Sequence, residues 1–274
     1  MPEGPEVRII TEGLQKYLTN SKIIDINIIE GRYYPEERNP EYFKEFKNNL
    51  PLSITDIKCK GKLIYFILEN NWYILNTLGM SGRWTTEKIK HSHIEIKYIK
   101  DNQENIIWYC DPRRFGTFKL LIGEKDLTKK LKSLGPDILN DTTITTQQFI
   151  DIMRKHNSKN ITKVLMNQSI ICGCGNYLKS ETLYRCKLSP HHNVIDLTDI
   201  QLENIFNTLK DLIQLSYQSQ GASLSTYYDI EGQKGGFTFE FQVYGRKQDI
   251  LGNTITTETT PDGRTTYWVK EIQL

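Results

Sequence analysis

Two glutamates three residues apart, beside a proline at position 2 in the run PEGPEV (residues 2–7), are the residues whose types and spacing most suggest chemistry. Removal of Met1 is plausible before a small second residue. It would leave Pro2 with a secondary amine whose α-amino-like pKa of about 7.7–8 keeps a useful fraction neutral and nucleophilic at physiological pH. Such an amine can attack a sugar C1′ and form an iminium. A nearby carboxylic acid must then protonate the sugar ring oxygen, and a second carboxylate can organise water or shuttle protons. The same two acids also have an ordinary explanation, because carboxylates in a first helical turn complement the positive end of the helix dipole.

Five further runs carry residues suited to chemistry or recognition: GKLIYF, LGMSGR, DPRRFG, GCGNYLKSETLY and QVYGR. LGMSGR (78–83) and DPRRFG (111–116) set bulky groups between turn residues, where side chains can protrude from a β scaffold. GCGNYLKSETLY places Gly175 and Asn176 at a helix start, where free backbone N–H groups favour an anion such as DNA phosphate. An Asn there is also an ordinary cap. Lys62, taken alone, is a surface lysine at the start of a strand, and Met80 and Phe115 are ordinary core filling.

Together with PEGPEV, and in this order, these runs resemble the formamidopyrimidine-DNA glycosylase and endonuclease VIII family. The resemblance implies a bifunctional DNA glycosylase/AP lyase of base excision repair that needs no cofactor or metal and acts as a monomer on damaged duplex DNA, with single strands left open. It makes Pro2 the Schiff-base nucleophile, Glu3 the acid that protonates the deoxyribose ring oxygen, Glu6 a further active-site carboxylate, and Lys62 a phosphate contact that assists elimination. Because a base inside duplex DNA is out of reach, such an enzyme extrudes the nucleotide and plugs the gap. By similarity Met80, Arg113 and Phe115 are the plugs. Asn176 and Lys163 touch phosphate, the lysine being displaced by one position from the family pattern.

The tail departs from the commonest family form, which carries two C-x-x-C pairs: this chain has no Cys or His after His192. A zincless finger is expected, a β-hairpin turning on Pro261-Asp262-Gly263 with Arg264 reaching for the minor groove, and with Tyr267 and Trp268 offsetting the missing metal. Gly4 in PEGPE, GNYL and this tail lean towards the endonuclease VIII-like branch and its oxidised pyrimidines and hydantoins. The stretch 221–236 resembles the loop that covers oxidised purines in the other branch, so those lesions stay open. A catalytically silent damaged-DNA-binding protein is the alternative.

The elements that must position these residues read as an α+β fold. Val7, Ile10, Leu14 and Leu18 recur at helical spacing, predicting a helix over about 4–18. Strand-like text follows to about residue 122, with EYFKEFKNNL as a helix, predicting an N-terminal β-sandwich with flanking helices. Four helical stretches lie between 145 and 219, resembling a helix-two-turn-helix domain. FTFEFQVYGR and the two arms of the hairpin return to β. The expected domains are 1–124 (catalytic sandwich), 125–145 (polar linker), 146–236 (helix-two-turn-helix) and 237–274 (finger).

A formal charge of +2 over 274 residues neither demands nor excludes a polyanionic partner. No apolar run could cross a bilayer, and acids stand where a signal peptide would be basic, so a soluble, intracellular protein is expected. Five cysteines without a C-x-x-C pair are expected to be reduced thiols. His91, His93, His191 and His192 read as surface residues.

Overall fold

The apolar stripe of the first helix is buried as its spacing predicts. Val7, Ile10, Leu14 and Leu18 of α1 (Gly4–Leu18) are almost fully excluded from solvent and join one core with the sheet that follows. The computed structural model describes residues 2–222, 227–236 and 241–274. It divides the chain into two compact units, one of residues 1–2, 6–133 and 220–235, the other of residues 3–5, 134–219 and 236–274.

The first unit contains β1 (Lys22–Ile28), α2 (Phe43–Asn48), β2 (Leu52–Lys60), β3 (Leu63–Leu68), β4 (Trp72–Thr77), β5 (Arg83–Thr85), β6 (Ser92–Lys100), β7 (Gln103–Cys110), β8 (Thr117–Ile122) and α3 (Glu124–Lys132). The eight strands pair antiparallel in the order β5-β7-β6-β1-β2-β3-β4-β8. Only Lys22↔Ser53 and Ile23↔Leu52 join β1 to β2, so the sheet is two four-stranded halves meeting at a corner. The Trp84 ring of β5 lies 5.6 Å from Phe66 of β3, and its Nε1 donates to Asn76 Oδ1 of β4 at 3.0 Å. Strands so distant in pairing order touch only if the halves face one another, which is the expected sandwich.

The second unit contains α4 (Thr146–Arg154), α5 (Ile161–Met166), α6 (Asn176–Arg185), α7 (Asp199–Gln218) and the hairpin β9 (Thr256–Thr259) and β10 (Thr265–Trp268). Capping boxes at Thr145 and Thr198 start α4 and α7. Phe149 and Phe206 lock the two helices together with ring centroids 4.9 Å apart. The finger packs Val243, Ile255 and Val269 against Tyr184 of α6 in a small core.

Four expectations are corrected. Residues 125–132, read as part of a polar linker, lie in α3, whose Leu127 is buried, so the first unit runs to Ser133. Residues 220–235, assigned to the helical domain, pack with the first unit: Ile230 Cδ1 comes within 2.9 Å of where a Cβ on Gly13 would stand. In FTFEFQVYGR, residues 237–240 lie outside the described residues, and 241–246 form bends rather than a strand. The cause is Glu181, a buried carboxylate that accepts the N–H groups of Gln242, Val243 and Tyr244 at 2.8–3.1 Å and so takes the donors a ladder would use. Finally, His93 is buried, with 4% exposure.

Candidate active site and DNA interface

Pro2 is buried, and so are both acids of PEGPEV. In the second unit, the Gly4 N–H donates to Gly173 O at 2.9 Å, which pins the segment beside the start of α6. There the Glu3 carboxylate accepts the N–H of Tyr177 at 2.9 Å and of Leu178 at 3.3 Å, one on each oxygen. The backbone donors at this helix start, expected from sequence to attract phosphate, are thus taken by an internal carboxylate. The helix dipole favours that charge as it would favour a phosphate. In the first unit, Glu6 accepts the N–H of Ala222 at 2.8 Å. Burial and then Glu6 push the Tyr227 hydroxyl well above its ordinary pKa.

Lys62 is half-buried in the tight turn between β2 and β3. Met80, Arg113 and Phe115 sit on two loops that the first unit ties together. The buried carboxylate of Asp111 accepts from Ser81 Oγ at 2.9 Å and from the Gly116 N–H at 2.7 Å, while the Arg113 N–H donates to Ser81 Oγ at 3.1 Å. Gly116 is required by space, because a Cβ there would stand 1.8 Å from the Tyr109 hydroxyl. With both loop bases fixed, Met80 is half-buried, Arg113 is exposed, and Phe115 is 54% exposed with the Arg113 guanidinium 5.1 Å from its ring centre. An aromatic ring held in water on such a base is not core filling.

In the second unit, Asn176 opens α6 and donates through Nδ2 to Thr265 O at 2.8 Å, next to Arg264. Arg264 is exposed at the hairpin turn, and Lys163 lies on the exposed side of α5. Beneath that turn runs a bond no sequence pattern announced: Lys179 Nζ donates to Asp262 Oδ2 at 2.7 Å with both side chains at most 2% exposed. Burial lowers the Lys179 pKa against the pull of Asp262. Burial would raise the Asp262 pKa, but hydrogen bonds from Lys179 and Thr260 hold it below the ordinary carboxylate range. The ring of Tyr267 lies 4.9 Å from Tyr244, and Trp268 meets His191 at 5.2 Å.

Pro2, Glu6, Lys62, Met80, Arg113 and Phe115 therefore belong to the first unit, and Glu3, Lys163, Asn176 and Arg264 to the second. Family models match end to end: the formamidopyrimidine-DNA glycosylase N-terminal domain over residues 1–118, the H2TH domain over 134–228 and the C-terminal domain over 229–274.

The chain belongs to the formamidopyrimidine-DNA glycosylase family. Membership makes it a DNA N-glycosylase with AP lyase activity, a base excision repair enzyme of oxidised bases whose partner is damaged DNA. It is 31% identical over 281 residues to the formamidopyrimidine-DNA glycosylase of Wolbachia pipientis, spanning 100% of both chains, and 28% identical over 276 residues to that of Bacillus anthracis, spanning 98% and 97%. Among solved structures, it superposes on Lactococcus lactis Fpg with DNA containing an oxidised pyrimidine at a TM-score of 0.84 and 25% identity, covering 99% of each chain. A Lactococcus lactis Fpg mutant bound to Fapy-dG-containing DNA gives 0.85 and 26%, also over 99% of each. Among the described residues no helix is long and apolar enough to cross a membrane.

Sequence reasoning gave no role in holding the site to Asp111, Ser81, Lys179, Asp262 and Glu181. Asp111 and Ser81 stand inside quoted motifs, so an acid at the base of a glycine-flanked loop was the available signal. Lys179 and Glu181 stand in GCGNYLKSETLY and Asp262 in the hairpin turn, but a pairing across 83 residues of chain leaves no local signal.

Proposed function

We propose that this glycosylase acts through Pro2, freed by removal of Met1. The Pro2 amine attacks C1′ of the damaged nucleotide, the C1′–N bond breaks, and the base leaves with the bonding electrons; Glu3 then protonates the ring oxygen, the C1′–O4′ bond opens, and the deprotonated Pro2 nitrogen completes the iminium. The iminium that results acidifies the neighbouring C2′ proton, so the strand is cut by β- and then δ-elimination, with Glu6 as a further carboxylate and Lys62 assisting at the phosphate. Met80, Arg113 and Phe115 occupy the gap left by the extruded nucleotide. Asn176, Lys163 and Arg264 hold the backbone and minor groove. The observation that carries this reading is the Glu3 carboxylate, adjacent in sequence to Pro2 and fixed by two backbone amides of α6. A proton donor of this kind must be oriented before substrate arrives.

Borohydride trapping on an abasic-site duplex tests it. A covalent adduct is expected with the wild-type chain and none with Pro2→Ala. Tight binding of lesion DNA without an adduct from either chain would instead mark a silent damage-binding protein.

The preferred lesions are oxidised pyrimidines and hydantoins. Gly4, the GNYL run and a finger without Cys or His support that reading and the endonuclease VIII-like branch. A second reading, oxidised purines and formamidopyrimidines, is favoured by the names of the relatives and by the segment 221–236, of which residues 223–226 lie outside the described residues. Single-turnover excision from duplexes carrying thymine glycol, a hydantoin, 8-oxoguanine or Fapy-dG separates the two.

A further inference from the structure

His91 sits in a turn at φ +66° just before β6 and His93 stands at the start of the strand, and their rings stack with centroids 6.3 Å apart and planes 19° from parallel. The register Asn27↔Glu95 and Ile28↔Ile94 continues through Ile29, whose N–H donates to His93 O at 2.9 Å, and this carries Glu30 alongside the pair. One ligand atom from each of Glu30, His91 and His93 lies within 4.8 Å of the other two. His93 is buried, and its Nε2 is solvent-excluded with no hydrogen-bond partner. A buried imidazole nitrogen left without a partner is unusual in a folded protein. The ring is also cradled: Gly31, at φ +93°, leaves open the space where a Cβ would stand 1.6 Å from His93 Nδ1. Any side chain at 31 would displace the imidazole.

We propose that Glu30, His91 and His93 form a site for one divalent transition-metal ion of the zinc class. Two imidazoles and one carboxylate suit zinc, cobalt, nickel or copper rather than magnesium or calcium, which prefer all-oxygen shells. Three protein ligands leave further coordination positions to water. Ligand atoms of a tetrahedral zinc stand about 3.3 Å apart for bonds of about 2.0–2.1 Å. Binding therefore draws the half-exposed Glu30 and His91 inward on the fixed His93. The ion takes no part in the amine chemistry. Its effect is on the strand: His91 O accepts the N–H of Asp111 at 3.1 Å, and the Asp111 carboxylate accepts from Ser81 and Gly116, Ser81 in turn accepting the Arg113 N–H. A metal at this corner braces the backbone from which the DPRRFG loop departs.

The test uses the full-length chain without an affinity tag, stripped with chelator and titrated with Zn²⁺ by calorimetry and with Co²⁺ by its visible absorption. One equivalent of each is expected, with Mg²⁺ not competing. Glu30→Gln and His91→Ala, at half-exposed positions that leave the core intact, should each weaken Zn²⁺ by more than about tenfold, the low end of what even outer-shell changes cause. Cys59→Ser and Cys186→Ser should bind as wild type. Absence of a stoichiometric Zn²⁺ or Co²⁺ complex, or a Glu30→Gln/His91→Ala double variant that binds like wild type, overturns the proposal.

Discussion

The two loops at the tip of the sandwich and the hairpin of the finger present similar side chains on different foundations. In the first unit, Asp111 takes a hydroxyl and a backbone N–H, and Arg113 and Phe115 stand out on a base closed by strand pairing and a glycine contact. In the second unit, the turn bearing Arg264 rests on an ammonium and a carboxylate that are both buried, Lys179 and Asp262. The sandwich has a large core to fix its loops, so a neutral donor and an amide suffice. The finger has a small apolar core shared with Tyr184 of α6 and no Cys or His, so its position depends also on polar links to α6: Lys179 to Asp262, Glu181 to the 242–244 bend, and Asn176 to Thr265. A small element with little core and no Cys or His is held by its neighbour's polar side chains.

If that contrast is right, the two foundations fail differently. The largest effect is expected at the ion pair. Lys179→Met strands a buried carboxylate and should cost about 3–5 kcal/mol in urea unfolding, whereas Lys179→Met with Asp262→Leu should recover most of it. Equal losses in the single and double variants would show the pair to be incidental. Next comes Asp111→Ala, which leaves the Ser81 hydroxyl and the Gly116 N–H without their acceptor and should cost about 1–3 kcal/mol. It should also weaken binding to duplex DNA, which fluorescence anisotropy reads.

Acid probes the finger's foundation. The Asp262 pKa lies below its unfolded value, as does that of Asp249, where hydrogen bonds from Asn253 outweigh burial. The unfolded chain therefore binds these protons at higher pH than the folded one. The stability they contribute is complete above about pH 4 and is lost as pH falls through the lowered native values. Asp262→Asn should flatten the acid limb of a stability–pH curve; an unchanged limb would contradict the assignment. The smallest effects on stability are expected at the tips. Phe115→Ala and Arg264→Ala should each move it by no more than about 0.5 kcal/mol. Arg264→Ala should still slow excision of base lesions more than cleavage at abasic sites, in single-turnover assays.

Much of this was legible from residue order. The stripe Val7, Ile10, Leu14, Leu18 announced α1, strand-like text to about residue 122 announced the sandwich, and Pro261-Asp262-Gly263 marked the hairpin. What failed to show is long-range or short. β5 has three residues, too few for an alternation to register. The bend at 241–246 has strand-like side chains, yet Glu181 from a distant helix claims its amides. His93 reads as an edge residue until Gly31 is seen to make room for its ring. Among the site residues, the motifs named buried ones, Pro2, Glu3 and Glu6, as well as the outward Arg113 and Phe115. The acids that hold them in place are buried, and which partner a buried acid finds is decided by the fold.

The central claim is that the first amine of the mature chain bonds to sugar. Mass spectrometry of the borohydride-reduced complex with an abasic-site duplex, after proteolysis, tests it most directly. The account predicts a sugar adduct on an N-terminal peptide that begins at Pro2; an adduct on Lys62 or another lysine, or full activity from a chain that keeps Met1, would contradict it.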